Sequence, residues 1–210
     1  VHLASAHNTN RIASIVSQNA TRQRMAVVLL FTLPGIPSLY YGDEIGMPGS
    51  VGMGNLGDEY RRAPMDWFKS GKGDGMTTWF KDPAKVVKAN DGISVEEQQN
   101  IPASLWNLYK LFIAQHAEHP ALRSNNMQII ASSCKSCYAY LRWDANDFYL
   151  VAFNFSEQTQ AVTFDLAKTP RAVSGTGQDL IQGGDASLPS DGRYTLTMSA
   201  WDMRVLHWGK

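Results

Sequence analysis

The sequence predicts an α/β portion followed by an all-β portion, with the change near Asn125. Three observations carry that reading. Short apolar runs at Val1–Ala6 and Ser38–Gly42 flank one long apolar segment, the strand–helix–strand rhythm of a parallel sheet with a crossover helix. After Arg123 the apolar period changes from 3.6 to 2. Turn-rich stretches then separate several short strands, which is the pattern of an antiparallel sandwich.

Thr21–Leu33 reads as a helix whose second half, "MAVVLLFTL", is apolar nearly all round and therefore buried on most sides. "PGIP" at Pro34–Pro37 ends it, because proline cannot continue a helix and restricts its predecessor. "SLYYG" follows as a strand closed by Gly42. Met47–Asn100 is rich in glycine and charge, and a loop of that length in a compact domain is usually functional or disordered. Trp67, Trp79 and the Pro64–Met65 pair argue that it packs. Ser104 caps a helix running to about Glu118, with Leu105, Leu108, Tyr109, Phe112 and Ile113 on one face and Pro120 closing it.

In the second portion "YLVAFNF" (Tyr149–Phe155) is a nearly continuous apolar strand, expected to be central. Val162, Phe164 and Leu166 alternate with Thr163 and Asp165, and Tyr194, Leu196 and Met198 alternate with threonine and serine. Met203–Trp208 is the last strand, with "DANDF" and "GGDASLPSDG" read as turns. The expected domains are 1–124 and 125–210.

Lysine plus arginine equals aspartate plus glutamate, 19 each, so nothing favours nucleic acid or an anionic membrane as partner. No apolar run approaches the roughly 20 residues of a spanning helix. The chain begins at Val1 with no charged-then-apolar leader, and reads as a piece of a longer or processed chain. Cys134 and Cys137 supply only two of the four ligands of a structural zinc site, so they read as inert or locally bridged thiols, and no metal ligands are assigned.

Function in a parallel sheet of this kind collects where strands end and loops begin. Two such points are visible, "SAHN" and "YYGDE". Histidine and carboxylates at strand ends could build a catalytic site. Equally, His7 could be a satisfied buried histidine, with Asp43 and Glu44 capping the next turn.

"LASAHNTNRI" resembles the fourth short motif of the α-amylase family of glycoside hydrolases, a variation on Asn-His-Asp-x-x-Arg. "LLFTLPGIPSLYYGDEIGMPG" is similar to that family's segment from helix seven to strand eight, and "RRAPMDW" to its Arg-x-Pro-Met-x-Trp segment. "VEEQQNIPASLWNLYKLFIAQHAEHPALR" resembles its final barrel helix, and residues 125–210 its C-terminal β-sandwich. The resemblance implies the C-terminal portion of a (β/α)8 TIM barrel followed by that sandwich. It further implies retaining cleavage of α-glucosidic bonds by a carboxylate nucleophile and a carboxylic acid roughly 5 Å apart. Both would sit upstream, on strands four and five, so the partners implied are an α-glucan or starch and the rest of the barrel. Calcium is possible in the full-length protein through upstream ligands, no cofactor is implied in this chain, and a secreted or periplasmic location is favoured.

By the same resemblance His7 matches the histidine that hydrogen-bonds glucose hydroxyls. Asn8 stands where the family has the carboxylate that stabilises the transition state. Arg62 matches an arginine reaching the sugar pocket in some relatives, and Asp43, in the loop after strand eight, is taken with them as a substrate-binding residue. Trp67 and Trp79 could stack on sugar rings or anchor the loop. The short loop between Met47 and Tyr60 favours starch or maltodextrin cleavage over oligo-1,6-glucosidase activity. The amide at Asn8 lacks the carboxylate's charge and one of its acceptor oxygens. Three functions follow: a glucan-cleaving enzyme altered at Asn8, a non-catalytic amylase-like partner subunit, or a carbohydrate-binding sandwich.

Overall fold

A short parallel pair opens the fold. β1 (His2–Leu3) lies beside β2 (Pro37–Ser38), with His2 opposite Pro37 and Leu3 opposite Ser38. The computed structural model describes residues 2–52, 57–80, 85–166, 169–170, 173, 175–188 and 191–209. Val1, part of the 47–60 loop and part of the 183–192 turn therefore lie outside the described residues. Both strands are shorter than their apolar runs, because the chain leaves each one in a turn. Thr9 N–H bonds to the Ala6 carbonyl at 3.2 Å and Asp43 N–H to the Tyr40 carbonyl at 3.1 Å.

Between these strands runs α1 (Ile12–Ile15) and then α2 (Ala20–Thr32). The Asn19 side chain accepts from Arg22 N–H at 2.9 Å, supplying one of the bonds a helix start lacks. Met25, Val27, Val28, Leu30 and Phe31 are all buried, as the all-round apolar run requires. The 47–100 stretch does pack, but not through its indoles: Trp67 and Trp79 are 47% and 73% exposed. Tyr60, Phe80, Val86, Val87 and Val95 join Ile45, Met47 and Ala63 in its core instead. α3 (Val95–Gln98) starts in a capping box, with Ser94 accepting from Glu97 N–H and Glu97 from Ser94 N–H.

α4 (Leu105–Glu118) begins where Ser104 Oγ accepts from Asn107 N–H at 3.2 Å. Leu108, Tyr109 and Phe112 are buried, with Phe31 edge-on to Tyr109 at 6.0 Å and stacked against Phe112 at 6.5 Å. Ile113, expected on the same face, is 45% exposed. Pro120 does not simply end the helix. His119 breaks it, and Pro120 occupies the first turn of a further helix, α5 (Pro120–Arg123), where its missing N–H costs nothing.

The chain forms two compact units, 1–31 with 36–114, and 32–35 with 115–210. The division falls inside α4, ten residues before the composition shift at 124/125.

The second unit holds the β-structure. β3 (Met127–Ile130), β4 (Cys137–Trp143), β5 (Phe148–Asn154), β7 (Thr176–Asp179), β8 (Asp185–Ser187) and β10 (Met203–Trp208) make a six-stranded sheet in the order 3-4-5-10-7-8. β6 (Gln160–Asp165) and β9 (Arg193–Met198) form a separate pair. All these pairings are antiparallel. Alternation sorts the faces: Ala139 and Leu141 of β4, with Phe148, Leu150 and Ala152 of β5, share a core with Val162, Phe164, Leu196 and Met198 of the β6–β9 pair. β5 is buried at every residue and has a neighbour on each side, the central position its apolar run requires. "DANDF" is the expected turn, with Asp144 Oδ1 accepting from Asn146 and Asp147 N–H groups. "GGDASLPSDG" is not turn throughout, because β8 lies inside it and pairs with β7. Cys134 and Cys137 are joined as a local disulfide.

Arg142 is fully buried on the opposite face of β4. Its guanidinium donates to the carbonyls of Asn126, Thr32, Ala121, Leu122 and Ser124. Three of those carbonyls belong to the C-terminal end of α5 and the residue just after it, where helical partners have run out. Tyr140, two residues earlier, shares a 2.6 Å hydroxyl–hydroxyl bond with Thr32.

Candidate functional site

β1 and β2 are parallel, so the loops after them leave the pair at the same end. The first loop is a tight turn. Thr9 Oγ1 accepts from Ala6 N–H at 2.8 Å while Thr9 N–H returns to the Ala6 carbonyl, leaving His7 and Asn8 exposed at the tip. His7 is therefore not a buried structural histidine.

A pair of adjacent arginines holds this tip by its backbone. A 3₁₀ turn at Glu59–Arg62 presents both. Arg62 Nε donates to the His7 carbonyl at 3.2 Å, and Arg61 Nη1 to the Asn8 carbonyl at 3.1 Å. Arg61 also grips Asn10 Oδ1, at 3.1 Å from Nε and 2.8 Å from Nη2. Asp58 pairs with both arginines, with Arg62 Nη2 at 2.9 Å. The sequence resemblance points to Arg62 but not to Arg61. The signal was the doubled arginine of "RRAP", since two donors in series are needed to hold two successive carbonyls.

Beneath the turn lies Arg11, fully buried. Its Nε donates to the Arg61 carbonyl at 3.1 Å and its Nη1 to the Tyr41 carbonyl at 2.6 Å. The guanidinium carbon sits 4.6 Å from the centre of the Tyr40 ring and 4.9 Å from that of Tyr41. Gly42, at φ +86°, makes room here: a Cβ would lie 2.5 Å from Met47 Sδ and 3.1 Å from Arg11 Nη1.

Asp43 is only 3% exposed, with Oδ1 3.5 Å from Arg11 Nη1. Burial pushes its carboxyl up to about 6, against the pull of the Ser5 hydroxyl and the Arg11 guanidinium. A carboxyl whose folded value exceeds its unfolded value binds its proton more tightly when folded. Its stabilising contribution is thus full below about pH 4 and is lost as pH rises through about 6. Asp43→Asn removes that dependence. The stability of the native chain relative to this variant is expected to be greater at pH 4 than at pH 7 by urea unfolding, and a pH-independent difference would contradict the burial argument.

The structure thus brings His7, Asn8, Arg62 and, underneath, Asp43 to one end of the parallel pair.

Residues 1–125 match the protein family described as alpha amylase, catalytic domain. The chain is 28% identical over 200 residues to the alpha-amylase SusG of Bacteroides thetaiotaomicron, a match covering 88% of this chain and 28% of that protein. It is 29% identical over 153 residues to the amino acid transporter heavy chain of Oryctolagus cuniculus, covering 72% of this chain and 26% of that one. Among solved structures, an alpha-amylase from H. orenii shares 29% identity at a TM-score of 0.73, covering 98% of this chain and 39% of its own. The chain therefore spans well under half the length of each of these relatives.

Proposed function

We propose, from the premise that this chain belongs to the alpha-amylase catalytic-domain family, that it is the C-terminal part of a retaining α-glucan hydrolase. In this reading the parallel pair with α2 is the end of a (β/α)8 barrel, and the antiparallel unit is the domain that follows it. The observation that carries it is the exposed His7–Asn8 tip, clamped by Arg61 and Arg62 where two parallel strands end. That is the end of a parallel barrel at which substrates are handled.

Each residue then has a task. The His7 imidazole donates or accepts a hydrogen bond at a glucose hydroxyl. Asn8 offers an amide to neighbouring hydroxyls where a carboxylate would also lend negative charge. Arg62 orients the tip and borders the sugar. Asp43 acts as a positioning residue, holding Arg11 under the loop. The nucleophile and the general acid come from the upstream barrel, which leaves the isolated chain without hydrolytic power.

His7→Ala in the complete protein is expected to weaken maltoheptaose binding about tenfold, the value of one well-placed hydrogen bond. Unchanged affinity by calorimetry would remove His7 from the site.

A second reading has its own observation. The amide at Asn8, together with the similarity to a transporter heavy chain, fits an amylase-like subunit that keeps the fold without the reaction. Glucan affinity in the complete protein separates the two, since a partner subunit has no need of it.

A further inference from the structure

Far from the His7–Asn8 tip in sequence, two histidines and an aspartate converge within the second unit. His119 precedes α5, Asp147 sits in the turn before β5, and His207 lies in β10. His119 Nδ1 is 3.1 Å and His207 Nε2 is 2.7 Å from the same oxygen, Asp147 Oδ1. One donor atom from each residue lies within 4.8 Å of the others. We propose that His119, Asp147 and His207 form a binding site for a late first-row divalent metal ion, zinc above others.

The donor set selects the ion. Two imidazoles and one carboxylate suit zinc and its neighbours, whereas calcium needs six to eight oxygens. Bonds of about 2.0–2.2 Å in tetrahedral geometry place donor atoms about 3.3 Å apart. Seating an ion therefore requires Asp147 Oδ1 to withdraw by about 0.2 Å from His119 Nδ1 and about 0.6 Å from His207 Nε2, and the two ring nitrogens, which lie within 4.8 Å of each other, to settle at the same spacing. Each neutral ring then carries its proton on the nitrogen facing away from the metal.

The donors are held before any ion arrives. Asp147 N–H is fixed by Asp144 Oδ1 at 2.7 Å, and the His207 ring stacks on Tyr149 at 4.2 Å between centroids. Asp147 is buried, while His119 is 23% exposed and opens one side of the cluster to solvent. That side leaves a fourth position for water. Gly209 keeps the space above the donors clear, because a Cβ there would lie 2.7 Å from Asp147 Oδ1 and 2.8 Å from His207 Nε2. A bound ion would tie the last strand to the segment leading into α5, which gives it a structural role independent of glucan chemistry.

Zinc chloride titrated into the 210-residue chain is the test, read by calorimetry and by the thermal midpoint. The expected result is one ion per chain at micromolar affinity or tighter, with a midpoint that rises with zinc concentration. His119→Gln and Asp147→Asn should each weaken binding at least about tenfold. A chain with His2→Ala, His7→Ala and His116→Ala, which keeps only the two cluster imidazoles, should bind as the native chain does; it decides the matter if the cluster variants fail to fold. No binding, affinity unchanged in both cluster variants, or affinity lost with the other three histidines would each overturn the proposal.

Discussion

Asn8→Asp in the complete protein is expected to raise the rate of maltodextrin hydrolysis at least about a hundredfold. Asparagine keeps the shape of aspartate but cannot lend a charge to the developing positive centre at the sugar's anomeric carbon. Charged hydrogen bonds to the neighbouring hydroxyls are also about twice as strong as neutral ones. The substitution falls at an exposed turn tip whose shape is set by backbone bonds to Arg61 and by Thr9, so the fold should change by no more than about 0.5 kcal/mol. Any gain in kcat therefore reports transition-state stabilisation. Equal rates for the amide and the carboxylate would end this explanation. Absence of hydrolysis in both, with no glucan affinity, would favour the partner-subunit reading.

Arg142→Met is expected to destabilise the chain by about 3 kcal/mol or more. Methionine fits the volume of the stem, but it leaves the carbonyls of Asn126, Thr32, Ala121, Leu122 and Ser124 without their shared donor. A buried polar group stripped of its partner costs about 1–3 kcal/mol, and several are stripped together. The native arrangement itself carries a cost, since burial lowers the Arg142 pKa and no carboxylate faces it in those bonds. Backbone dipoles offset that cost, and they do so only as a set. Lysine should not rescue the site, because one ammonium cannot reach five carbonyls. Urea unfolding at pH 7 measures the loss, and a value below about 1 kcal/mol would show that water replaces the guanidinium.

Patterning made the scaffold legible wherever one face, or all faces, had to be apolar. α2 and β5 are the clearest cases, since their burial follows directly from composition. Features decided by distant partners were not legible. Pro120 reads locally as a stop, yet it begins α5 because a proline is acceptable in a first helical turn. Trp67 and Trp79 read as anchors, but Tyr60, Phe80 and the valines near them fill the core. Nothing around Arg142 distinguishes it from a surface arginine until the carbonyls of α5 are placed against it.

The same division runs through the sites. "SAHNTNR" could be read because its residues are adjacent and one turn displays them. Asp43 reads as a loop carboxylate free to meet a ligand, and only packing reveals Arg11 and Ser5 around it. The His119–Asp147–His207 cluster has no spacing signature at all. The register of β10 against β5 sets His207 beside the turn that carries Asp147, and His119 joins them from the residue before α5.

Release of reducing sugar from soluble starch by the complete protein, beside the purified 210-residue chain, tests the central claim most directly. The expected result is hydrolysis by the complete protein, slow with Asn8 and fast with aspartate there, and none by the chain alone. Hydrolysis by the 210-residue chain alone would contradict the assignment of nucleophile and acid to an upstream barrel.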